Sequence, residues 1–529
     1  MVSSDAALAS AAGAEVLKRG GNAVDAAVAT GFALAVVYPE AGNLGGGGFS
    51  VVRMADGRVA AVDYREVAPR AATRDMFADD TAAPRRSIVG PLASGVPGSV
   101  AGLAALQRRF GTMTLAQVIA PALRLAEQGF TVDSQLAASI ARHQALIVRF
   151  EGRALFLPGG VPLMVGATLR QPALARTLRA IADSGAAAFY TGSLSRAVAQ
   201  DLHNAGSIIT GEDLAAYSPE WREPVRGLYR GHAIFTMPPP SSGASVLQIL
   251  NILEGWSPLP PFGSARRAHL LASAMQRAFI DRNAAIGDPA FVRVPVARLT
   301  DKSYAAKLRF GIGERAVPTP ELVAAREGME TTHYAVVDAA GNAVSTTTTI
   351  NDLYGSGVFL PTVGIFMNDE MDDFAARPGQ PNLFGLVQGE QNAVAPGKRM
   401  LSSMSPTIVL DRTGKPMMLV GARGGPRIVS GIVQTIVNVI DHRMTIADAI
   451  SAPRLHHQAI PDTIRFERDG HSANALDSLR AMGYGVSIWG AGPAFSPDAN
   501  LGSVNGILRT GAVWTGFADP RAGGRAGVP

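Results

Sequence analysis

Apolar positions along this chain switch between two spacings, and the switches mark its elements. Residues 5–19 are Ala-rich with a helical period, and Gly20-Gly21-Asn22 stops them. Residues 23–37 are almost wholly apolar, which predicts a helix buried on all sides. Residues 49–54 and 59–64 flank Ala55-Asp56-Gly57 and predict a strand hairpin. Before that hairpin stands Pro39-Glu40-Ala41-Gly42-Asn43-Leu44-Gly45-Gly46-Gly47-Gly48, whose glycines let the backbone bend or approach a neighbour closely. A phosphate loop is disfavoured there, because no Gly-Lys-Ser/Thr follows. Helical spacing returns at 100–128, is mixed over 136–193, and gives way to strands over 222–235. Met237-Pro238-Pro239-Pro240-Ser241-Ser242-Gly243 then breaks the chain before helices at 244–256 and 269–283.

The clearest alternation follows a polar, Pro-punctuated segment at 300–330. Thr332, Tyr334 and Val336 alternate with His333, Ala335 and Val337. Asp338-Ala339-Ala340-Gly341-Asn342 supplies a turn, with Gly341 or Asn342 suited to a positive φ. Residues 343–350, with four consecutive threonines, predict the return strand. A five-residue loop opposes residues whose numbers sum to 680, so Val337 faces Ala343 and Thr331 faces Thr349. Opposed side chains lie about 4.5–5.5 Å apart at Cβ, which would bring two hydroxyls together at the open end. A four-residue loop would set Thr331 against Ile350 instead, on the other face. On local pattern alone these threonines are β-branched strand formers and nothing more.

Beyond the hairpin, 364–368 reads as a short strand ending in Asp369-Glu370-Met371-Asp372-Asp373. Residues 374–398 are rich in Pro, Gly and Asn and read as a long loop, a length often found in lids. Leu401-Ser402-Ser403-Met404-Ser405-Pro406 leads into a strand at 407–410. Another strand at 417–420 precedes Gly421-Ala422-Arg423-Gly424-Gly425-Pro426-Arg427 and an apolar helix at 428–440. Frequent hairpins among helices suggest a layered protein with antiparallel sheets. Arg65, at a strand end, and the acids at 369–373 read locally as solvated.

Composition narrows the function. With 47% hydrophobic and 17% charged residues, the 529-residue chain is a well-buried globular protein, long enough for about three domains. The net charge of +5 is scattered, with no basic tract interleaved with aromatics, which argues against nucleic-acid binding. There is no cysteine, so disulfides, thiolate metal sites and cysteine nucleophiles are excluded. The longest apolar run, 26–37, falls short of the roughly 20 residues a membrane span needs. No basic segment followed by an apolar one reads as a signal peptide.

Taken together, several stretches resemble the gamma-glutamyltranspeptidase family across nearly the whole chain. They are Gly20-Gly21-Asn22-Ala23-Val24-Asp25-Ala26, Arg65-Glu66 with Ala72-Thr73-Arg74-Asp75-Met76, and Met237-Pro238-Pro239-Pro240-Ser241-Ser242-Gly243. Thr331-Thr332-His333-Tyr334, Met371-Asp372-Asp373-Phe374, Leu401-Ser402-Ser403-Met404-Ser405-Pro406 and Gly424-Gly425-Pro426-Arg427 complete the set. The resemblance implies an α+β fold, a four-layer αββα sandwich of the N-terminal-nucleophile hydrolase type. It also implies self-cleavage between Glu330 and Thr331, giving portions 1–330 and 331–529 that stay associated as one αββα unit. No metal or organic cofactor is implied.

By matching position, Thr331 would be the nucleophile, with Thr349 orienting it and the backbone N–H groups of Gly424 and Gly425 forming an oxyanion hole. Arg65, helped by Ser402 and Ser403, would clamp a substrate α-carboxylate; Asn351, Glu370 and Asp373 would receive its α-ammonium. The loop at 374–398 resembles the lid of bacterial members, with Phe384 where such lids often carry tyrosine. Cleavage makes chemical sense: a threonine hydroxyl is a poor nucleophile without a base, and a freed α-amine, with a pKa of about 7.7–8.0, supplies one.

The implied activity is transfer of a γ-glutamyl group, from glutathione or similar compounds, through a Thr331 ester to amino acids, peptides or water. A cephalosporin or glutaryl acylase on the same scaffold is the nearest alternative, and retention of Asn351, Glu370 and Asp373 favours glutamyl over it. A poly-γ-glutamate depolymerase fits the lid-like loop less well, and a non-processing binding homologue is the alternative of a different class. Bacterial members are mostly periplasmic or secreted, which sets the expected location.

Overall fold

The hairpin at 331–350 is the centre of the molecule. In the computed structural model, Thr332–Val337 pairs antiparallel with Ala343–Thr349, with Val337 opposite Ala343 and Thr332 opposite Thr348. The five-residue loop therefore sets the register, and Gly341 carries its positive φ of 89°. Asp338 closes that loop by accepting from the Asn342 N–H at 2.9 Å, and it also accepts from the Ala23 N–H at 2.9 Å. The structure describes residues 1–81, 83–319, 331–490, 501–522 and 525–527. Glu330, with the rest of 320–330, lies outside them.

Seven antiparallel strands form the first sheet, in the order Arg525–Gly527, Val2–Ser4, Thr332–Val337, Ala343–Thr349, Gly47–Arg53, Val59–Asp63 and Glu220–Arg222. The second sheet runs Val513–Ala518, Ser503–Thr510, Pro416–Arg423, Thr407–Leu410, His232–Thr236 and Val225–Tyr229, again antiparallel throughout. The pleat sorts the first sheet's side chains into two cores. Tyr334, Val336, Val344 and Val62 join a core shared with the helices Ala7–Lys18, Ala23–Val37 and Ser99–Phe110. Ala335, Val337, Ala343 and Phe49 face the second sheet, packing with Ile408, Met418 and Val420. Helices Gly243–Leu253, Ala265–Ala285 and Arg427–Ile440 cover the outer side of the second sheet. The result is a helix–sheet–sheet–helix sandwich, as expected.

Burial on both faces explains why the threonine-rich strand shows no polar side, and each buried hydroxyl needs a partner. Thr346 Oγ1 lies 2.8 Å from Ser50 Oγ, Thr347 Oγ1 lies 2.9 Å from His333 Nδ1, and Thr348 donates to the Gly47 carbonyl at 2.7 Å. Burial lowers the His333 pKa to about 3, so its ring is neutral. The two sheets are in close contact there: a Cβ on Gly421 would fall 2.2 Å from the His333 ring.

Two sequence motifs prove to be architectural. Asn22 caps the all-buried helix Ala23–Val37: its side chain accepts from Val24 and Asp25 N–H, and Asp25 accepts from the Asn22 N–H in return. The glycine run lets Gly47–Arg53 slip between two strands, since a Cβ on Gly46 would meet the Thr349 carbonyl at 2.1 Å. Several boundaries differ from the pattern-based reading: the helical stretch at 100–128 is two helices, Ser99–Phe110 and Leu115–Gln128, and the helix read at 269–283 begins at Ala265. Lys302–Phe310, inside the segment read as irregular, is a helix capped by Asp301, which accepts from the Tyr304 N–H at 2.7 Å. The strand expected at 417–420 runs from Pro416 to Arg423, because pairing with Ser503–Thr510 continues to Arg423 opposite Ser503.

Candidate active site

Residue parity puts Thr331 on the same face as His333 and Ala335, toward the second sheet. Thr331 Oγ1 donates to Thr349 Oγ1 at 3.5 Å, the outer limit of such a contact. Thr349 Oγ1 in turn accepts from the Asn351 N–H at 2.8 Å. Asn351 holds a left-handed backbone, φ 76°, and its amide donates to the Asp369 carbonyl at 3.1 Å. The chain thus turns sharply after the return strand, bringing the Asn351 N–H onto Thr349.

The two threonines line a small cavity with Arg65, Asn351, Asp373, Phe384, Ser402, Ser403, Met404, Gly425 and Ile428. Its volume, ≈ 20 Å³, is about that of one water. Eight of the ten residues singled out from the sequence line it; Glu370 stands behind Arg65, and Gly424 beside Gly425.

Arg65 does not behave as a solvated strand end. It is fully buried, and its Nη1 lies 3.3 Å from Glu66 Oε2 and 2.7 Å from Glu370 Oε2. Its Nη2 donates to Asp373, and its Nε donates to the Met400 carbonyl at 3.4 Å. The acids of the turn Glu370–Asp373 are likewise buried rather than solvated. Burial opposes the Arg65 charge, but Glu370, Glu66 and Asp373 outweigh it and raise its pKa. Burial lifts Glu66 to about 7 against the pull of Arg65, and it raises Glu370 and Asp373 in the same way. Neither carboxyl oxygen of Glu370 has a hydrogen-bond partner among the described residues; the Arg65 contact is a charge contact off the line of its N–H bonds.

Three acids around one guanidinium cannot all be ionised cheaply, and burial shifts each of the three toward its protonated form. Three of the five Arg65 N–H groups are hydrogen-bonded, to Met400, Glu66 and Asp373.

Ser402 and Ser403 are braced from behind by the proline-rich motif. Ser241 donates to the Met404 carbonyl and Ser242 to the Ser402 carbonyl, each at 2.6 Å, while the Ser402 N–H donates to the Pro240 carbonyl at 2.7 Å. On the opposite wall, Gly424 and Gly425 link the strand Pro416–Arg423 to the helix Arg427–Ile440 with φ values of 116° and 55°. Only glycine takes such a pair readily. A Cβ on Gly425 would sit 2.4 Å from the Phe384 ring, so the lid residue lies directly on this turn. The Gln458 amide donates to the Phe384 carbonyl at 3.0 Å, and Asp372 accepts from the Leu383 N–H at 2.6 Å, which ties the loop down.

Sequence reasoning gave no role to Glu66, Met404 or Ile428. Glu66 was visible only as the neighbour of Arg65, and the other two read as ordinary apolar positions of a strand entry and a helix.

Two antiparallel sheets face to face between helical layers, with a threonine at the head of a central strand, define the N-terminal-nucleophile hydrolase class. The chain belongs to the gamma-glutamyltranspeptidase family, whose model matches residues 9–528. It is 44% identical over 535 residues to a glutathione hydrolase proenzyme of Escherichia coli (strain K12), covering 99% of this chain and 90% of that protein. It is 40% identical over 542 residues to an acylase ACY 1 proenzyme of Pseudomonas sp. (strain V22), covering 99% of this chain and 93% of that one. Among solved structures it is similar to the cephalosporin acylase from Bacillus halodurans, with a TM-score of 0.86 at 29% identity over 99% of this chain and 94% of the other. No helix among the described residues is long and apolar enough to cross a membrane.

Proposed function

We propose that this protein is a self-processing gamma-glutamyltransferase and glutathione hydrolase. The observation that carries the reading is the meeting of Thr331, Thr349, Arg65 and Asp373 in one cavity: a hydroxyl pair beside charges of both signs, suited to the zwitterionic end of a γ-glutamyl group.

In this reading Thr331 Oγ first attacks the Glu330 carbonyl, the peptide bond becomes an ester, and water hydrolyses it. The α-amine of Thr331 is released as the base for later turnovers, and portions 1–330 and 331–529 remain packed together through the shared sheets. In turnover the amine takes the Thr331 hydroxyl proton as Oγ attacks the γ-glutamyl carbonyl. The tetrahedral oxygen is stabilised by the N–H groups of Gly424 and Gly425, and the leaving amine departs with the proton. The resulting γ-glutamyl ester then passes to water, an amino acid or a peptide.

Arg65, Ser402 and Ser403 face the α-carboxylate; Asn351 and Asp373 face the α-ammonium, with Glu370 adding its charge from behind Arg65. Phe384 must leave Gly425 for a substrate to enter, because ligand pockets run to hundreds of Å³. A periplasmic or secreted location accompanies this reading.

An acylase reading has one observation in its favour: Phe384, Met404 and Ile428 give the cavity an apolar wall suited to a side chain without an ammonium. Glu370 and Asp373 weigh against it. Denaturing electrophoresis tests the processing, since the 55.0 kDa chain should give bands of about 34 and about 21 kDa. Turnover of a γ-glutamyl anilide against a glutaryl anilide then separates the two activities, and a single band with no turnover of either leaves a binding homologue.

A further inference from the structure

Behind Ser403 lies a second buried arginine. Arg282, on the helix Ala265–Ala285, is 1% exposed. Its Nε donates to Ser242 Oγ at 2.8 Å, its Nη1 to Asn283 Oδ1 at 2.9 Å, and its Nη2 to Ser403 Oγ at 3.1 Å. Among the described residues no carboxylate stands within ion-pair distance of it, although Asp373 acts on it through space. Burial lowers its pKa to about 10, which still leaves it charged at neutral pH. A buried cation without a paired anion is costly to hold; among the described residues its hydrogen-bond partners are all neutral oxygens, and the Phe279 ring lies 6.0 Å from its guanidinium carbon.

The consequence falls on Ser403. A serine hydroxyl has one proton and two lone pairs, and here Arg282 occupies a lone pair. The Ser403 proton has no acceptor among the described residues, while the side chain lines the cavity. Ser242 links the two halves of the device, accepting from Arg282 and donating to the Ser402 carbonyl.

We propose that Arg282 is a positioning residue for substrate selection: it fixes Ser403 as a donor into the cavity and supplies the charge that makes this wall select a carboxylate. The proposal rests on the γ-glutamyl reading above and adds to it a group that does not touch the substrate.

The test compares three anilides: L-γ-glutamyl, glutaryl (carboxylate kept, ammonium absent) and 4-aminobutyryl (ammonium kept, carboxylate absent). Arg282→Met should raise KM for the first two about tenfold and leave kcat/KM for the third unchanged, as expected for losing a charge-assisted contact to one group. Arg282→Lys should recover part of the loss. An equal fall on all three substrates would reduce Arg282 to a packing role and overturn the proposal, as would no change on any. Should Arg282→Met fail to fold, Ser242→Ala removes the Nε partner at little volume cost and should show the same selectivity in weaker form. A wild-type protein that turns over none of the three overturns the γ-glutamyl reading and the proposal together; an active wild type with an indifferent Arg282→Met overturns the proposal alone.

Discussion

Thr331 and Thr349 face each other at the open end of one hairpin, Oγ1 to Oγ1 at 3.5 Å, with the Asn351 N–H holding Thr349 from the far side. That N–H fills one lone pair of Thr349 and the Thr331 hydroxyl donates to the other, so Thr349 orients the Thr331 hydroxyl. Thr349→Val should therefore lower kcat by about 100-fold, as misplacing a reacting group does, with little change in thermal unfolding. Thr349→Ser should restore most of it; equal loss in both variants would mean that the methyl group, not the hydroxyl, matters.

Thr331→Ala removes the proposed attacking group. It should run as a single band near 55.0 kDa and turn over no γ-glutamyl anilide, whereas Thr331→Ser should still divide. Normal cleavage in the alanine variant would refute the assignment of Thr331.

The two glycines opposite should respond differently to a methyl group. Gly425→Ala brings a Cβ 2.4 Å from the Phe384 ring, a side chain that can move. Adding Phe384→Ala should therefore return part of the activity lost. Gly424→Ala meets the Cα of Gly502 at 2.9 Å and holds φ at 116°, so no side-chain change relieves it. We expect about 1–3 kcal/mol of destabilisation there, readable by denaturant unfolding, with no rescue by Phe384→Ala.

Glu40 gives a pH signature separate from turnover. It is fully buried next to Tyr38, Ser139 and Arg423, with Asp133 nearby, and burial raises its pKa to about 7. Its folded pKa lies above the unfolded value, so the folded state binds more protons between about 4.5 and 7. Stability is then highest at the acid end of that window and is lost as pH rises through 7. Glu40→Gln cannot ionise, so its melting temperature relative to wild type should climb between pH 5 and pH 8. A difference constant with pH would show that Glu40 does not titrate in that range.

Much of the site could be read from residues because its features are local. The hairpin register follows from one loop length and a period of two, and with a five-residue loop it brings Thr331 opposite Thr349 before any packing is considered. The helix at 23–37 followed from unbroken apolarity, while the role of Asn22 as its cap came from the structure. What could not be read is everything that depends on burial of charge. Arg65 looked solvated, since a strand end carries no mark of the three acids that fold over it from 66, 370 and 373. Arg282 gave no signal, because a basic residue on a helix is ordinarily on the surface.

Sequence alone thus determined the hairpin and its two possible registers, the apolar helix and the family motifs, all set by patterns between near neighbours; the structure chose the five-residue loop. The tertiary structure decided which charges lose their water. Desolvation depends on segments hundreds of residues apart closing on one another, and only that closure turns Arg65, Glu66, Glu370, Asp373 and Arg282 from surface-like side chains into a pocket with a defined proton balance.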